Sequence, residues 1–307
     1  MNLKNKPKPT SSERGYPDLH DHIQKLRDND LLQIVDEPVN KDTEIMPLVR
    51  WQFRGGISEN QRKAFLFNNV TDSYGRKYDI PLVVGALAAT PAIYSIGMGV
   101  TLSDIGKQWK KALDEPLSPV EIDNAPCHEI VSRGSDLEGE NSGLNNLPTP
   151  ISTPGFDVAP YLTATSCITR DPDTRVQNMG TYRGGIKSSN RIGLKMFVNM
   201  RQGGHTHWLN WRTKGKKMPM AIMVGGPPSL AYVSSQKIRE GLDEISVAGA
   251  LAGAPIRVTK AKTVDLLVPA DAEIIIEGLL DTEMLEPEGP FGESHGHINL
   301  EEYNFIF

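Results

Sequence analysis

The sequence predicts an α/β domain followed by a strand-rich domain, and three observations support this. Helix and strand signals alternate through the first third of the 307-residue chain, which is typical of an α/β pattern. The second half carries several strand-like runs at close spacing, which predict a small barrel or a sandwich. A stretch rich in Gly, Pro, Ser and Asn lies between them. We therefore predict domains over 1–125 and 161–307, joined by an irregular linker over 126–160.

The N-terminal elements follow from hydrophobic periodicity. Leu19, Ile23 and Leu26 have helical spacing, and Asp18 is in the position of an N-cap. Two more helices are predicted over 45–53 and 102–113, and strands over 31–35, 64–70 and 80–87. The basic, polar stretch 1–18 is predicted to be a flexible arm.

The uncharged run from Ile80 to Val100 is long enough to span a bilayer. Pro81 and Pro91 interrupt it, so we interpret it as a buried strand, a turn and the start of a helix.

The second half is predicted to be mostly strands, with helices over 207–213 and 242–252. The strand-like runs are 161–170, 175–183, 191–198, 220–226, 254–261, 265–269 and 272–280. The chain also ends on an apolar run, Phe305 to Phe307.

The composition is that of a soluble globular protein, with 38% hydrophobic and 23% charged residues. A net charge of −5 argues against nucleic acid as the main partner. The two cysteines, Cys127 and Cys167, form no CxxC pattern, so neither a disulfide framework nor a zinc site is expected. No signal-peptide core is visible at the N-terminus. We therefore expect a cytoplasmic protein without a membrane partner.

Two glycine-rich segments carry polar groups. In Asn178–Gly185, a strand would place Asn178 and Tyr182 on one side and Arg183 on the other, where arginine can bind a carboxylate or phosphate. His205 and His207 follow a Gly-Gly pair, and HxH on a strand is a plausible metal-ligand spacing. On spacing alone, a surface arginine with a turn asparagine is the favoured interpretation of the first segment. His-X-His pairs are common on protein surfaces, so a surface histidine pair is the simpler interpretation of the second.

A third segment, Gly225–Glu244, predicts a rigid turn before a helix. Ser234 and Ser235 could donate hydrogen bonds to a phosphate. Glu240, Asp243 and Glu244 could start the next helix, and a solvated acidic helix start is the simpler interpretation.

The stretch PEGPFGE places Glu288 and Glu293 in a backbone stiffened by proline and glycine. If both carboxyls face one pocket, burial and repulsion would raise the pKa of at least one, as a proton donor near neutral pH requires. A nearby arginine would keep the other carboxylate ionised. The alternative is a surface turn with two solvated glutamates.

Taken together, these four segments resemble the UbiD family of decarboxylases, which use prenylated FMN. The resemblance covers most of the chain, from the segment beginning at Asp18 through Val264–Leu280 to Glu288–His297. It implies a fold in which the second domain is a flavin-binding split β-barrel. It also implies reversible, non-oxidative decarboxylation of an aromatic or α,β-unsaturated acid, with hydroxybenzoate-like acids favoured.

The resemblance also implies site residues. Arg183, Glu288 and Glu293 match the family's catalytic positions, with Glu293 as the proton donor. The implied metal ligands are Asn178, His205 and Glu244, for Mn²⁺ or Mg²⁺, with K⁺ as a further candidate cation; His207 is the alternative to His205. The implied cofactor-binding set is Asn178, Met179, Gly180, Thr181, Tyr182, Arg183, Gly204, His205, Ser234, Ser235 and Glu244.

The same resemblance implies a flavin prenyltransferase as supplier of the cofactor, a small carboxylic acid as substrate, and a homo-oligomer. Family members continue into a further α/β domain, which is expected to be absent here. Two other functions stay open from the sequence. One is a flavin-phosphate-binding module, or shortened homologue, without catalysis. The other is an FMN reductase, which the paired glutamates argue against because hydride transfer does not need them.

Overall fold

The computed structural model describes residues 10–196, 202–239, 241–293, 296–300 and 302–307. Its α-helices are α1 (Ser11–Arg14), α2 (Leu19–Asp28), α3 (Ile45–Arg54), α4 (Pro91–Met98), α5 (Ile105–Asp114), α6 (Gly203–Thr213), α7 (Pro228–Ser234) and α8 (Glu244–Ala252). Short 3-10 helices lie at Glu59–Gln61, Leu102–Asp104, Pro126–His128, Gly134–Leu137 and Gly143–Asn146.

The strands divide between the two halves of the chain. The first group is β1 (Leu32–Val35), β2 (Val39–Asn40), β3 (Ala64–Phe67), β4 (Val70–Thr71), β5 (Lys77–Tyr78), β6 (Leu82–Val84) and β7 (Val120–Glu121). The second group begins with β8 (Tyr161–Leu162), β9 (Thr165–Arg170), β10 (Gln177–Gly180), β11 (Gly184–Ser188), β12 (Arg191–Leu194), β13 (Met218–Val224) and β14 (Arg257–Lys260). It ends with β15 (Leu267–Pro269), β16 (Ile274–Leu280), β17 (Leu285–Glu288), β18 (Phe291–Gly292), β19 (Ile298–Asn299) and β20 (Glu302–Ile306).

The N-terminal part is α/β, as predicted. The Asp18 side chain accepts a hydrogen bond from the N–H of Asp21 and caps α2. Strands β1, β3 and β6 form one small sheet, and β2, β4 and β5 form another. The uncharged run 80–100 divides into β6 and α4, which confirms the strand, turn and helix prediction. In the described part of the chain, no helix is long and apolar enough to cross a membrane.

The predicted flexible arm is wrong for residues 10–18. These residues contain α1, and Tyr16 is buried in the core with its hydroxyl donating to Asp271 Oδ2 at 2.6 Å. The Arg14 guanidinium pairs with Asp18 and Asp21. Because Asp271 lies 255 residues along the chain from Tyr16, a local sequence pattern could not show this contact. Residues 1–9 lie outside the described part.

Two sheets of the second half enclose one apolar core. The four-stranded sheet has the order β10-β9-β13-β16, and the five-stranded sheet has the order β17-β20-β12-β11-β8. Alternate residues on these strands meet between the sheets, because successive side chains of a strand point to opposite faces. The shared core includes Cys167, Tyr182, Ile192, Leu194, Met218, Met220, Ile222, Leu280 and Phe305. This is the predicted strand-rich domain; Phe197 and Val198 of the predicted strand 191–198 lie outside the described residues.

The N-terminal part also packs on the second half. Strand β7 pairs in parallel with β14, through Val120 and Arg257. The N–H of Leu117 donates to the carbonyl of Ser246 in α8 at 3.0 Å. Ala112 of α5 is fully buried in a core that also contains α7 and α8 residues. The domain boundaries drawn from composition remain a prediction.

Candidate active site

Arg183 lies where two strands of different sheets are joined. The segment Asn178–Gly185, predicted as one strand, is instead broken: β10 ends at Gly180 and β11 begins at Gly184. The break allows the chain to pass from the four-stranded to the five-stranded sheet. The N–H of Lys195 donates to the Arg183 carbonyl at 2.9 Å, which holds the backbone at this point.

The Arg183 guanidinium contacts both predicted catalytic glutamates. Its Nε and Nη2 donate to Glu288 Oε1 and Oε2, each at 2.9 Å, so this pair is bidentate. Its Nη1 donates to Glu293 Oε1 at 2.5 Å. The structure therefore brings together three residues that lie up to 110 positions apart in sequence.

The two glutamates differ in position and exposure. Glu288 ends β17, and 1% of its side chain is exposed, whereas Glu293 follows β18 with 21% exposed. Glu293 Oε1 also accepts a hydrogen bond from Asn299 Nδ2 at 2.8 Å. Of the two side chains, that of Glu293 is therefore the more accessible to a bound molecule. Ser294 and His295, from the same sequence motif, lie outside the described residues.

Charge compensation holds the guanidinium in its protonated form. Burial lowers the pKa of Arg183, but hydrogen bonds and attraction to Glu288, followed by Glu293, outweigh it and raise that pKa overall. One cation therefore neutralises part of the charge of two neighbouring carboxylates. Arg183 is thus an arginine close to both glutamates of the PEGPFGE stretch.

Two residues of this cluster were missed by sequence reasoning. Tyr161, which is 1% exposed, donates its hydroxyl to Glu288 Oε1 at 3.3 Å. Lys195 is buried and pairs with Glu302, and burial lowers its pKa against the opposing attraction of Glu288. Each occurs in an ordinary strand pattern, so no sequence signal marked it.

The ring of Phe291 lies between two partners. The Arg183 guanidinium stands 4.2 Å from its centroid, and the Tyr161 ring lies 4.6 Å away. The Gly-Pro-Phe-Gly stretch thus supplies an apolar wall beside the charged cluster.

A second polar group surrounds the Tyr182 hydroxyl. That oxygen accepts hydrogen bonds from the Gly204 N–H at 3.0 Å and from Asn178 Nδ2 at 3.4 Å. A Cβ at Gly203 would lie 1.8 Å from Asn178 Oδ1, so this position has no room for a side chain. The start of α6 therefore packs directly on Asn178.

Glu244, the first residue of α8, lies next to the strand that carries Asn178. Its Oε2 accepts a hydrogen bond from the Met179 N–H at 3.3 Å. Burial raises the pKa of Glu244 to about 7, and no cationic side chain among the described residues forms an ion pair with it. A buried carboxylate and an amide oxygen suit a hard divalent cation, which would favour the ionised form of Glu244. These two donors fit the predicted metal.

The two histidines lie on a helix, so the prediction of HxH on a strand is wrong. Helix α6 begins at Gly203, four residues before the predicted start, and residues two apart on a helix point roughly 200° away from each other. The His205 ring contacts those of Trp208 and Phe305, while His207 Nδ1 bonds to Thr169 Oγ1 at 2.8 Å. The choice between them as a ligand remains a prediction. The described residues hold no group of three His, Cys, Asp or Glu side chains suited to a metal.

The predicted serines end helix α7. Ser234 Oγ bonds to Ser166 and Thr181 hydroxyls at 3.0 and 2.9 Å and donates to the Ala231 carbonyl. Ser235 Oγ donates to the Tyr232 carbonyl. The Thr181 N–H donates to the Ser234 carbonyl at 2.9 Å, so this helix end lies against the segment that leads to Arg183. Asp243 caps α8, whereas Glu240 lies outside the described residues.

Comparison with known proteins places this architecture among UbiD-class folds. The UbiD-class enzyme HmfF from Pelotomaculum thermopropionicum, solved with FMN, is 26% identical, with a TM-score of 0.80 over 94% of this chain and 61% of that chain. An evolved dimeric form of HmfF with prFMN has the same identity and TM-score and is covered over 63%. Vanillic acid decarboxylase from Sedimentibacter hydroxybenzoicus, in closed form, has a TM-score of 0.84 at 24% identity, covering 95% of this chain and 60% of that one. At that identity the last match shows the fold alone.

The family model described as 3-octaprenyl-4-hydroxybenzoate carboxy-lyase Rift-related domain matches residues 119–307. This is more than half of the chain, so the chain belongs to the UbiD family, as the sequence motifs predicted. It spans about three-fifths of the length of the solved structures that it matches.

Proposed function

We propose that this chain catalyses the reversible, non-oxidative decarboxylation of an aromatic or α,β-unsaturated carboxylic acid, with hydroxybenzoate-like acids favoured. The supporting observation is the Glu288–Arg183–Glu293 cluster. Its guanidinium is held by one fully buried carboxylate and contacts a second carboxylate that is partly exposed.

The proposed roles follow from that asymmetry. Glu288 is buried and bidentate, so it orients Arg183, and Arg183 orients the carboxylate of the substrate. The bond between that carboxylate and its carbon breaks, CO₂ leaves, and the electron pair stays with the rest of the substrate. Glu293, the more exposed carboxyl, takes up a proton from solvent and then donates it to the carbon that lost CO₂.

We propose prenylated FMN as the cofactor, which when bound would delocalise the electron pair that stays with the substrate after CO₂ leaves, until the carbon is protonated. FMN and prFMN occur in the HmfF structures, which supports this assignment. Asn178, His205 and Glu244 would hold Mn²⁺ or Mg²⁺ beside the cofactor phosphate, with K⁺ as a further cation. Asn178 bonds to the Tyr182 hydroxyl and Glu244 accepts a hydrogen bond from the N–H of Met179, the residue next to Asn178, which supports the first and third of these ligands.

The cellular setting is also a proposal. A flavin prenyltransferase would supply the cofactor in the cytoplasm. One of the similar structures is an evolved dimeric form of HmfF, which supports assembly of this chain into a homo-oligomer.

The test is Glu293→Gln, in protein co-expressed with a flavin prenyltransferase and supplied with Mn²⁺. Absorbance and mass analysis measure bound cofactor, and CO₂ release from a set of hydroxybenzoates and cinnamate-like acids measures turnover. We expect bound cofactor in both proteins and turnover only in the wild type. Glu283→Gln, at an exposed position, is the matched control and should behave as the wild type.

Two results would contradict the proposal. A Glu293→Gln protein that keeps full turnover would exclude Glu293 as the proton donor. A wild type that binds the flavin but turns over no acid would instead favour a binding module without catalysis.

A further inference from the structure

A carboxylate in the irregular segment 126–160 holds the loop that carries Glu293. Asp157 Oδ1 accepts a hydrogen bond from the Gly292 N–H at 2.7 Å, and Oδ2 accepts one from the Thr153 N–H at 2.6 Å. Both carboxylate oxygens therefore accept hydrogen bonds from backbone N–H groups, and Gly292 lies 135 residues after Asp157 in the chain. The Asp157 side chain therefore joins the linker to the glutamate loop.

The contact between segment 153–157 and Gly292 is tightly packed. Thr153 Oγ1 donates to the Gly292 carbonyl at 3.3 Å, so both backbone groups of Gly292 are bound by the segment 153–157. A Cβ at Gly292 would lie 2.1 Å from Thr153 Oγ1, and one at Gly289 would lie 2.5 Å from Val158 Cγ1. The loop therefore has little room to move relative to this segment.

Gly292 stands between the two loop residues that touch Arg183. The preceding residue, Phe291, stacks on the Arg183 guanidinium, and the following residue, Glu293, bonds to its Nη1. A shift of the Gly292 backbone would therefore change both contacts. The Glu288 pair would remain, since Glu288 is anchored in β17 opposite Glu302.

The environment of Asp157 agrees with a fixed, partly desolvated carboxylate. Burial raises the pKa of Asp157, while the Gly292 and Thr153 N–H groups and the charges of Arg50 and Arg183 oppose that shift. In the described structure, Arg50 and Arg183 act on Asp157 through their charges and form no hydrogen bond with it. Its direct partners in the described structure are the two backbone amides.

We propose that Asp157 is a positioning residue: it fixes Gly292 and thereby sets the approach of the Glu293 carboxyl to Arg183. The inference rests on the proposed function, because it assigns Asp157 an effect on proton donation by Glu293. It adds a residue from the linker to a site otherwise built from the strand-rich half.

The experiment compares the wild type with Asp157→Ala, Asp157→Asn and the control Asp136→Ala, which changes an exposed aspartate in the same linker. Hydrogen–deuterium exchange with mass analysis of peptides covering 287–293 reports on the loop without cofactor or substrate. Turnover of a substrate acid by the cofactor-loaded protein gives kcat and KM.

We expect the hydrogen–deuterium exchange rate of the loop to rise about tenfold in Asp157→Ala, because the loss of one hydrogen bond changes the opening equilibrium by about this factor. We expect kcat to fall about 100-fold, since a misplacement near 1 Å has an effect of this size, with KM little changed. Asp157→Asn retains an acceptor for one amide and should lie between. Asp136→Ala should match the wild type.

Unchanged exchange in Asp157→Ala would overturn the inference, and so would faster exchange with unchanged kcat, which indicates loop stability alone. A rise in KM with kcat unchanged would also overturn it. A wild type inactive on every acid refutes the proposed function and the catalytic part of this inference, while exchange still decides whether Asp157 holds the loop. If Asp157→Ala does not fold, Asp157→Asn, which removes one of the two hydrogen bonds of Asp157, decides the same question by the same two measurements.

Discussion

Replacing Arg183 by methionine would leave the Glu288 carboxylate buried without its bidentate partner. The side chains of this pair are 10% and 1% exposed, so water cannot take the place of the guanidinium. Removal of one partner of a buried ion pair destabilises a protein by about 3–5 kcal/mol, because the remaining charge stays desolvated. We expect Arg183→Met to lower the free energy of unfolding by an amount in this range.

Most of that loss of stability should come from the Glu288 charge, which stays buried without its partner. The two hydrogen bonds from Arg183 to Glu288 are each 2.9 Å long, but their net contribution is offset by the desolvation of both groups. Replacing Glu288 by glutamine as well removes the charge. We therefore expect the double variant Arg183→Met/Glu288→Gln to be more stable than Arg183→Met by about 2 kcal/mol.

Urea unfolding followed by circular dichroism measures both differences in cofactor-free protein. Arg175→Met is the control, because it breaks an ion pair with Asp265 whose side chains are 53% and 74% exposed. Exposed pairs contribute about 0–1 kcal/mol. The reasoning is refuted if Arg183→Met loses no more than this control, or if the double variant is no more stable than the single one.

Two further predictions concern packing and pH. Gly292→Ala places a Cβ against Thr153 and should lower the free energy of unfolding in urea by about 1–3 kcal/mol. The control is Gly106→Ala on α5, where a Cβ has no neighbour within 4 Å, and it should be neutral or stabilising by up to about 1 kcal/mol. Equal stability of the two variants would contradict the packing. Burial lowers the pKa of His22 below its ordinary 6.5, so the neutral ring stabilises the fold above that pH, and this contribution is lost as the pH falls toward the folded-state value. The melting temperature of His22→Gln should therefore depend less on pH between about 7 and 5 than that of the wild type, and parallel curves would exclude His22 as the cause.

Local patterns in the sequence were sufficient for several of the individual elements. Helix α2 begins after Asp18, and the run 80–100 forms β6 and α4, because caps, prolines and periodicity act within a few residues. The motif around Glu288 and Glu293 was likewise marked by its own unusual composition. These features, together with the order of the motifs, were enough to indicate the family.

The tertiary structure decided what these elements touch. The helical state of His205 and His207 depends on where α6 begins, which the Gly-Gly pair did not show. Tyr161, Lys195 and Asp157 join the Arg183 cluster through contacts between distant segments, and their local patterns are those of ordinary strands and turns. The sequence alone thus determined which residues carry the charges, because chemistry is a property of single side chains. Only the fold determined which charges meet, because that depends on contacts across more than one hundred residues.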